Sequence, residues 1–195
     1  MIIAITGTPG TGKIRVCTAL GLEYVDLNRV IAEQGFYTGV DTERGCLIAD
    51  LTRLKEYVRK ADRELLVIEG HLAHFMTPDA AIVLRADPEV LADRLTKKGF
   101  PPQKIKENVE AEVLDIILAE AVELCDVVYE VDTTGKRVED IAALVRAIVD
   151  AEVEDEGESA SKNALREKYK PGSVDWTRFA DSVFEFARSE SDVED

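Results

Sequence analysis

The sequence has few cysteines, no long apolar run and a deficit of basic side chains. Its three cysteines, Cys17, Cys46 and Cys125, are far apart and form no Cys-x-x-Cys pair, which disfavours a disulfide framework or a zinc site. No apolar run approaches the roughly 20 residues of a membrane span, and no basic segment precedes the first apolar run. We therefore expect no membrane segment and no signal peptide, and a cytoplasmic protein with reduced thiols.

The charge balance is strongly acidic. The chain has 24 Lys and Arg against 39 Asp and Glu, a formal net charge of −15. Such a surface repels nucleic acid and anionic membranes, so we predict no direct DNA binding and no membrane partner. Two explanations of the charge remain open, solubility in a salt-rich cytoplasm or an acidic face for a basic partner such as a small-subunit ribosomal protein.

Short apolar runs alternate with segments of helical periodicity, a pattern typical of an α/β domain. We predict the P-loop NTPase fold, a five-stranded parallel sheet with helices on both faces and a binding site at the carboxyl ends of the strands. The predicted strands are 2–6, 22–27, 64–70, 80–85 and 126–132. The predicted organisation is a nucleotide kinase domain at 1–150, an acidic linker at 151–161 and an acidic extension at 162–195.

Periodicity and capping residues place the other elements. We predict a helix at 13–20, a helical turn at 28–35, a loop at 35–45, a helix begun by Asp87 and Pro88 that stops at Gly99, an exposed loop at 97–104 and a last helix at roughly 137–151. Leu47, Leu51, Leu54 and Val58 predict one helix face, and Ile105, Val109, Val113, Ile116 and Ile117 another on a single long helix. In the extension, Trp176, Phe179, Val183, Phe184 and Phe186 predict an amphipathic helix, which either docks on the domain or serves as a partner-binding arm.

The stretch Gly7–Arg15 reads GTPGTGKIR and lies between a predicted strand and a predicted helix, the setting of a phosphate-binding loop. Its glycines allow successive main-chain amides to point at one anion. Lys13 is predicted to bring its ammonium to the β- and γ-phosphates of a nucleoside triphosphate. The alternative is a chance glycine-rich turn with its threonines as caps, which the strand–turn–helix context disfavours.

Ile14 and Arg15 depart from the usual loop, in which Ser or Thr follows the Lys and binds Mg²⁺. Ile14 has no hydroxyl, whereas the main-chain amides at both positions persist whatever side chains they carry. We therefore expect weakened metal binding and retained phosphate binding, because Mg²⁺ keeps several waters in such sites. Arg15 either reaches a phosphate from the first helical turn or points into solvent.

A carboxylate and a histidine follow the third predicted strand, in the stretch LLVIEGH. Glu69 ends a buried strand beside the loop, where a carboxylate holds Mg²⁺ or its water shell. His71 either orients an attacking water or substrate hydroxyl, or is a loop histidine bonded to the main chain. His74 lies three residues further on, with no additional ligands nearby in sequence.

The phosphate loop, EGH after the third strand and DRLTKKGF after the fourth together resemble the small adenylate-kinase-like proteins of archaea and eukaryotes, which also act as ATPase factors in small-ribosomal-subunit assembly. The resemblance runs from Met1 to about Val149 and includes FYTGVD and NVEAEV. It implies ATP:AMP phosphotransfer with Mg²⁺ as the cofactor, and a role in ribosome biogenesis and rRNA processing. The fragment GSVDWT is similar to extensions in acidic, salt-adapted members, which favours the high-salt explanation of the charge.

The same resemblance implies a role for individual residues. It makes 26–49 the monophosphate-binding segment and 97–107 a short lid, with Glu69 holding Mg²⁺ through water. The implied catalytic residues are Lys13, Glu69 and His71. The implied ATP-binding residues are Gly10, Thr11, Gly12, Lys13, Ile14, Arg15, Lys98 and Lys136, and those implied for the monophosphate are Asp26, Asn28, Arg29 and Asp50.

The chain departs from the family pattern at several positions. Thr-Thr is usual where Ile14-Arg15 stands, Arg is expected at Ala32 and at Lys98, and the helix after the loop is about one turn short. Arg29 lies on the same helix as Ala32 and is a candidate replacement. Three functions stay open: an ATP:AMP phosphotransferase, an assembly ATPase that times the release of a ribosomal protein, and a nucleotide-sensing protein with little turnover.

Overall fold

Residues 1–42, 45–61, 63–154 and 159–180 are described by a computed structural model. Within these residues the strands are β1 (Ile2–Thr6), β2 (Tyr24–Asp26), β3 (Tyr37–Asp41), β4 (Cys46–Ala49), β5 (Leu66–Glu69), β6 (Ala80–Arg85) and β7 (Val128–Asp132). The α-helices are α1 (Lys13–Leu20), α2 (Leu27–Gln34), α3 (Leu51–Arg59), α4 (Pro88–Lys97), α5 (Pro102–Val113), α6 (Ile116–Leu124), α7 (Val138–Val153) and α8 (Ala160–Lys168). Short 3₁₀ helices lie at Ala73–Met76 and Thr177–Phe179.

Five of the strands form one sheet in the order β2-β5-β1-β6-β7, and all of its paired strands are parallel. The predicted five-stranded parallel sheet is therefore confirmed. Strand β1 lies between β5 and β6, and the chain runs from β1 to β2 in one direction across the sheet and from β5 past β1 to β6 in the other. Ligands of open α/β sheets bind beyond the carboxyl end of such a strand.

Alternating side chains of β1 fill two apolar layers. Ile3 and Ile5 lie in the layer covered by α1 and α7, whereas Ala4 lies in the opposite layer, covered by α2, α3 and α6. A third, smaller cluster lies between α4 and α5, where Leu91 and Leu95 contact Phe100. The helix that follows the phosphate loop is thus held against the sheet by a fully buried core.

The prediction of a loop over 35–45 is wrong at residues 37–41, which form β3 and pair with β4 in a two-stranded antiparallel hairpin. Leu47 lies opposite Val40 in this hairpin and is not part of a helix. Helix α3 begins at Leu51, because the Asp50 carboxylate accepts a hydrogen bond from the Arg53 amide at 3.1 Å and caps the helix. The helical spacing of Leu47 and Leu51 is therefore coincidental.

The single long helix predicted after the lid is also wrong. The helix is interrupted between α5 and α6. Asp115 there has a positive φ of 55°, and its carboxylate accepts a hydrogen bond from Arg85. The predicted exposed loop at 97–104 is shorter than expected, since Lys97 still belongs to α4 and Pro102 begins α5. Four residues, 98–101, therefore connect the two helices.

The described part of the C-terminal extension docks on the domain. Helix α7 continues to Val153 and α8 begins at Ala160, so the predicted linker at 151–161 is partly helical. Leu165 and Tyr169 contact the layer that contains Ile3 and Ile5. Of the predicted aromatic helix, Trp176 precedes a 3₁₀ turn, and Val183, Phe184 and Phe186 lie outside the described residues. No helix within the described residues is both long and apolar enough to cross a membrane.

Candidate functional site

A cavity of about 500 Å³ lies at the carboxyl end of the sheet and borders the phosphate loop. This volume is in the range of small-molecule sites. Of the residues predicted from the sequence, it brings together Gly10, Thr11, Gly12, Lys13, Ile14, Arg15, Asn28, Glu69, His71, Lys98 and Lys136. Asp26, Arg29 and Asp50 are not among its lining residues.

The phosphate loop has the backbone that its glycines predict. Gly7, Gly10 and Gly12 have φ values of 131°, 101° and 102°, a region that L side chains rarely adopt. At Gly7 a Cβ atom would also lie 2.2 Å from the Leu84 main-chain oxygen, so no larger residue fits there. The loop leads directly into α1, whose N-terminus adds a partial positive charge of about half an elementary unit.

Lys13 is buried, and its ammonium is held against its own loop. Its Nζ donates hydrogen bonds to the carbonyl oxygens of Gly7 at 2.8 Å and Thr8 at 3.2 Å. Burial lowers the pKa of Lys13 to about 8, an effect that the negative charge of Glu69 partly opposes. The ammonium is therefore poised at the cavity, and phosphate oxygens would replace main-chain carbonyls as its partners.

Glu69 ends β5 with a buried carboxylate that lacks a full set of partners. Its side chain is 1% exposed, and Oε2 is the one buried side-chain polar atom without a hydrogen bond within the described residues. Burial raises the pKa of Glu69 to about 7, although the positive charge of Lys13 opposes the rise. A buried carboxylate oxygen with no protein partner fits a role in holding a hydrated cation.

The two histidines differ in position and partners. His71 lines the cavity, and burial together with the charge of Lys13 lowers its pKa to about 4. It is therefore neutral at neutral pH and able to accept a hydrogen bond on one ring nitrogen. His74 is fully buried outside the cavity lining, with its ring nitrogens 3.0 Å from Thr6 Oγ1 and 3.1 Å from Glu120 Oε2.

The residues implied for the monophosphate mostly have structural partners. The Asp26 carboxylate accepts a hydrogen bond from the Arg29 amide at 3.1 Å and caps α2, just as Asp50 caps α3. Arg29 is exposed and pairs with Glu33 at 2.7 Å on the same helix. Asn28 is the member of this set that lines the cavity.

Two residues that sequence analysis did not single out fix the loop from the other side. Arg94 donates a hydrogen bond to the Gly10 carbonyl at 3.3 Å, and Thr133 Oγ1 donates one to the Thr11 carbonyl at 3.0 Å. The two side chains also contact each other at 3.3 Å, and both line the cavity. Arg94 stands in the DRLTKKGF stretch, but its partners come from distant segments that no sequence spacing identifies.

Comparisons with known proteins identify the family of this chain. A family model described as AAA domain matches residues 3–115. A protein of Methanosarcina acetivorans named "Putative adenylate kinase" is 41% identical over 188 residues, which cover 90% of this chain and 97% of the relative. Proteins of the same name are 39% identical in Archaeoglobus fulgidus, over 96% of this chain and 99% of the relative, and 42% identical in Halobacterium salinarum, over 79% and 93%.

Solved structures with the same fold are more distant in sequence. The shikimate kinase of Acinetobacter baumannii in complex with shikimate has a TM-score of 0.54 and 16% identity, over 77% of this chain and 93% of that chain. The shikimate kinase of Bacteroides thetaiotaomicron has a TM-score of 0.51 and 19% identity, over 77% and 98%. At these identities the likeness establishes the fold alone, and it confirms the P-loop kinase architecture.

Proposed function

The chain belongs to the family of archaeal proteins named adenylate kinase, and from that premise we propose that it transfers the γ-phosphoryl group of ATP to AMP, with two ADP as products. The observation that carries this proposal is that one cavity at the phosphate loop contains the Lys13 ammonium and the Glu69 carboxylate, whose Oε2 has no hydrogen-bond partner within the described residues. The Lys13 ammonium attracts phosphate, and the Glu69 carboxylate attracts the cation that accompanies the phosphate.

In the proposed reaction an oxygen of the AMP phosphate attacks the γ-phosphorus, and the bond from that phosphorus to the β–γ bridging oxygen breaks. The electron pair of the broken bond stays on the departing ADP. Lys13 stabilises the charge that spreads over the transferring group, because its ammonium exchanges the Gly7 and Thr8 carbonyls for phosphate oxygens. The amides of Gly10–Arg15 bind the phosphates, which preserves the role of the loop despite Ile14.

Glu69 is proposed to hold Mg²⁺ through water, with Oε2 as the accepting atom. When bound, Mg²⁺ neutralises charge on the β- and γ-phosphate oxygens. Ile14 supplies no hydroxyl to the metal and is 52% exposed beside the cavity, so we infer that Glu69 carries a larger share of metal binding here. His71, neutral at neutral pH, is proposed to accept a hydrogen bond from water in this shell.

The remaining lining divides into two proposed subsites. Lys136, Arg15 and the apolar side chains of Val138 and Ile141 all line the cavity, and they are proposed to bind the nucleoside of ATP. Lys98 and Arg94 add positive charge next to the loop, which offsets the global charge of −15 for an anionic ligand. Asn28 is proposed to contact the monophosphate directly, whereas Asp26, Arg29 and Asp50 act through the ends of α2 and α3.

A second candidate, ATP hydrolysis, is favoured by the short connection between α4 and α5. The proposed lid at 97–107 contains only four residues outside helices, 98–101, with Phe100 at the cavity. A lid that closes incompletely admits water, which then competes with AMP for the γ-phosphoryl group. A role in ribosome biogenesis and rRNA processing, with a basic small-subunit ribosomal protein bound to the acidic surface, is proposed from the family resemblance and the net charge of −15.

The test is the rate of ADP formation from ATP and Mg²⁺, with and without AMP, at low and high KCl. Turnover that depends on AMP and gives two ADP per ATP supports the kinase. Loss of ATP that AMP does not change supports the ATPase and contradicts phosphotransfer to AMP. Binding of ATP by calorimetry without either turnover would overturn both and favour a nucleotide sensor. Higher activity at high KCl supports the salt-adaptation explanation of the acidic surface.

A further inference from the structure

A buried ionic network lies directly behind the phosphate loop. The Thr8 hydroxyl donates a hydrogen bond to Glu112 Oε2 at 2.5 Å, and Glu112 itself is 2% exposed. The other oxygen, Oε1, accepts from Arg85 Nε at 2.7 Å and from the Ala86 amide at 3.1 Å. Glu112, which belongs to α5, therefore joins the phosphate loop to β6.

Negative charge exceeds positive charge in this network. Arg85 is the cation, and its guanidinium donates to the carboxylates of Glu112, Glu130 and Asp115. Arg85, Glu112 and Glu130 are each at most 2% exposed. One guanidinium cannot balance these carboxylates alone, and a buried carboxylate without donors is strongly destabilising. Further donors are therefore required.

The C-terminal extension supplies those donors. Glu130 Oε2 accepts hydrogen bonds from the amides of Ser173 at 2.8 Å and Val174 at 3.2 Å. The Glu130 amide in turn donates to the Tyr169 carbonyl at 2.7 Å, so the extension runs along the edge strand β7. Trp176 Nε1 donates to Glu112 Oε1 at 3.3 Å.

Two routes thus lead from the extension to Glu112. One is the direct indole bond of Trp176, and the other passes from residues 173 and 174 through Glu130 and Arg85. Both reach the carboxylate whose second oxygen binds the loop residue Thr8. Any displacement of the extension therefore changes the hydrogen bonding of the group that holds the back of the phosphate loop.

We propose that the C-terminal extension is a positioning element of the nucleotide site, with Trp176 as the positioning residue that fixes Glu112 in the orientation in which it binds Thr8. Trp176 touches no reacting atom and acts through Glu112 on the loop. The functional part of this proposal rests on the proposed nucleotide function. The contact between extension and loop is testable without nucleotide, because Trp176 is the single tryptophan of the chain.

The first test uses the full chain labelled with 5-fluorotryptophan, which gives one ¹⁹F resonance. Without nucleotide, Thr8→Val should shift this resonance, since valine keeps the shape of threonine and removes the hydroxyl. Thr8→Ser, which retains a hydroxyl, should give the wild-type position. A resonance at the wild-type position in Thr8→Val would overturn the proposal whatever the protein does with ATP.

The second test uses ATP and Mg²⁺ as the probe. As ATP is added, the ¹⁹F resonance should shift to saturation, with the same midpoint that calorimetry gives for ATP binding. A resonance that stays fixed while calorimetry records binding would overturn the proposed coupling between the extension and the nucleotide site. Trp176→Phe should raise the KM for ATP about two- to tenfold with a smaller change in kcat. An unchanged KM would likewise contradict the positioning role.

Lys170→Ala is the matched control within the extension, because Lys170 pairs with Glu167 and does not reach Glu112. This control should leave the KM for ATP unchanged. An increase in KM equal to that of Trp176→Phe would indicate that the extension as a whole has loosened, and it would overturn the specific role of Trp176. If calorimetry shows no ATP binding while Thr8→Val shifts the resonance, the proposed function fails and the link from extension to loop is supported.

Discussion

The Lys13 ammonium donates a hydrogen bond to the carbonyl oxygen of Gly7, six residues earlier in the chain, at 2.8 Å. The ammonium of Lys13 is thus held by carbonyl groups of the phosphate loop to which it belongs. Because Lys13 is 7% exposed, this bond replaces part of the hydration that the ammonium loses on burial. Binding of a triphosphate needs only an exchange of one set of oxygen acceptors for another.

Replacement of Lys13 by alanine should abolish most turnover. We expect kcat to fall by about 10²–10³, the size of effect seen when a charge-stabilising donor is removed from a transition state. The measurement is the rate of ADP formation with ATP, AMP and Mg²⁺. Lys60→Ala, a change at an exposed residue at the end of α3, is the control and should retain full activity. Wild-type turnover in Lys13→Ala would refute the proposed mechanism.

The value of kcat/KM should follow a bell-shaped curve in pH. Burial raises the pKa of Glu69 to about 7, so protons remove its negative charge and weaken metal binding below that pH. Burial lowers the pKa of Lys13 to about 8, so the ammonium is lost above that pH. Activity of the free enzyme toward ATP should therefore be highest between about 7 and 8.

Glu69→Gln is the control for the acidic limb of this curve, since an amide does not titrate. Its residual activity should lose the dependence on pH near 7 and need more Mg²⁺ for half-maximal rate. An acidic limb that persists unchanged in Glu69→Gln would assign that limb to another group.

Ile14→Thr should lower the Mg²⁺ concentration needed for half-maximal activity. Ile14 is 52% exposed and lines the cavity, so threonine fits without loss of core packing and adds the hydroxyl that such loops use for the metal. We expect a change of about two- to tenfold, the effect of one hydrogen-bonding ligand. Ile14→Val has the shape of threonine without the hydroxyl and should behave as wild type. Equal Mg²⁺ requirements for Ile14→Thr and Ile14→Val would disprove this account of position 14.

Substitutions at Gly7 and Gly12 should differ in their cost to stability. Gly7→Ala places a Cβ atom 2.2 Å from the Leu84 oxygen, whereas at Gly12 no atom lies within 4 Å of the added Cβ. Both glycines have positive φ, so both variants suffer backbone strain of about 1–3 kcal/mol. Gly7→Ala should lose roughly 2 kcal/mol more than Gly12→Ala in urea unfolding, because main-chain atoms must also move. Equal losses would contradict the close approach of the loop to β6.

Local signals in the sequence predicted the parallel sheet and the phosphate loop. The run Ile2–Thr6 followed by three glycines and Lys13 specifies a strand, a turn and a helix through short-range sterics alone. The same kind of reasoning failed at Leu47, because the spacing of four residues from Leu51 fits a helix and a hairpin equally well. It failed again at Asp115, where the bond to Arg85 accompanies a helix break that local propensity does not reveal.

Several members of the candidate site were beyond prediction because their partners are distant in the chain. Arg94 contacts Gly10 across 84 residues, and Thr8 contacts Glu112 across 104. No periodicity or motif encodes such pairs. Conversely, Asp26 and Asp50 look like ligands in sequence and are helix caps in the structure.

The sequence by itself determined which groups can meet a triphosphate, since glycine backbone freedom, the Lys13 charge and the missing hydroxyl at Ile14 are properties of single residues. Only the tertiary structure decided the electrostatic state of those groups. Burial takes water away from Glu69 and Lys13 and moves their pKa values toward neutrality, and burial depends on helices and strands that are far apart along the chain. The tertiary structure also placed Trp176 behind the phosphate loop, because the amide and the carboxylate of Glu130 on the edge strand β7 form hydrogen bonds with the extension.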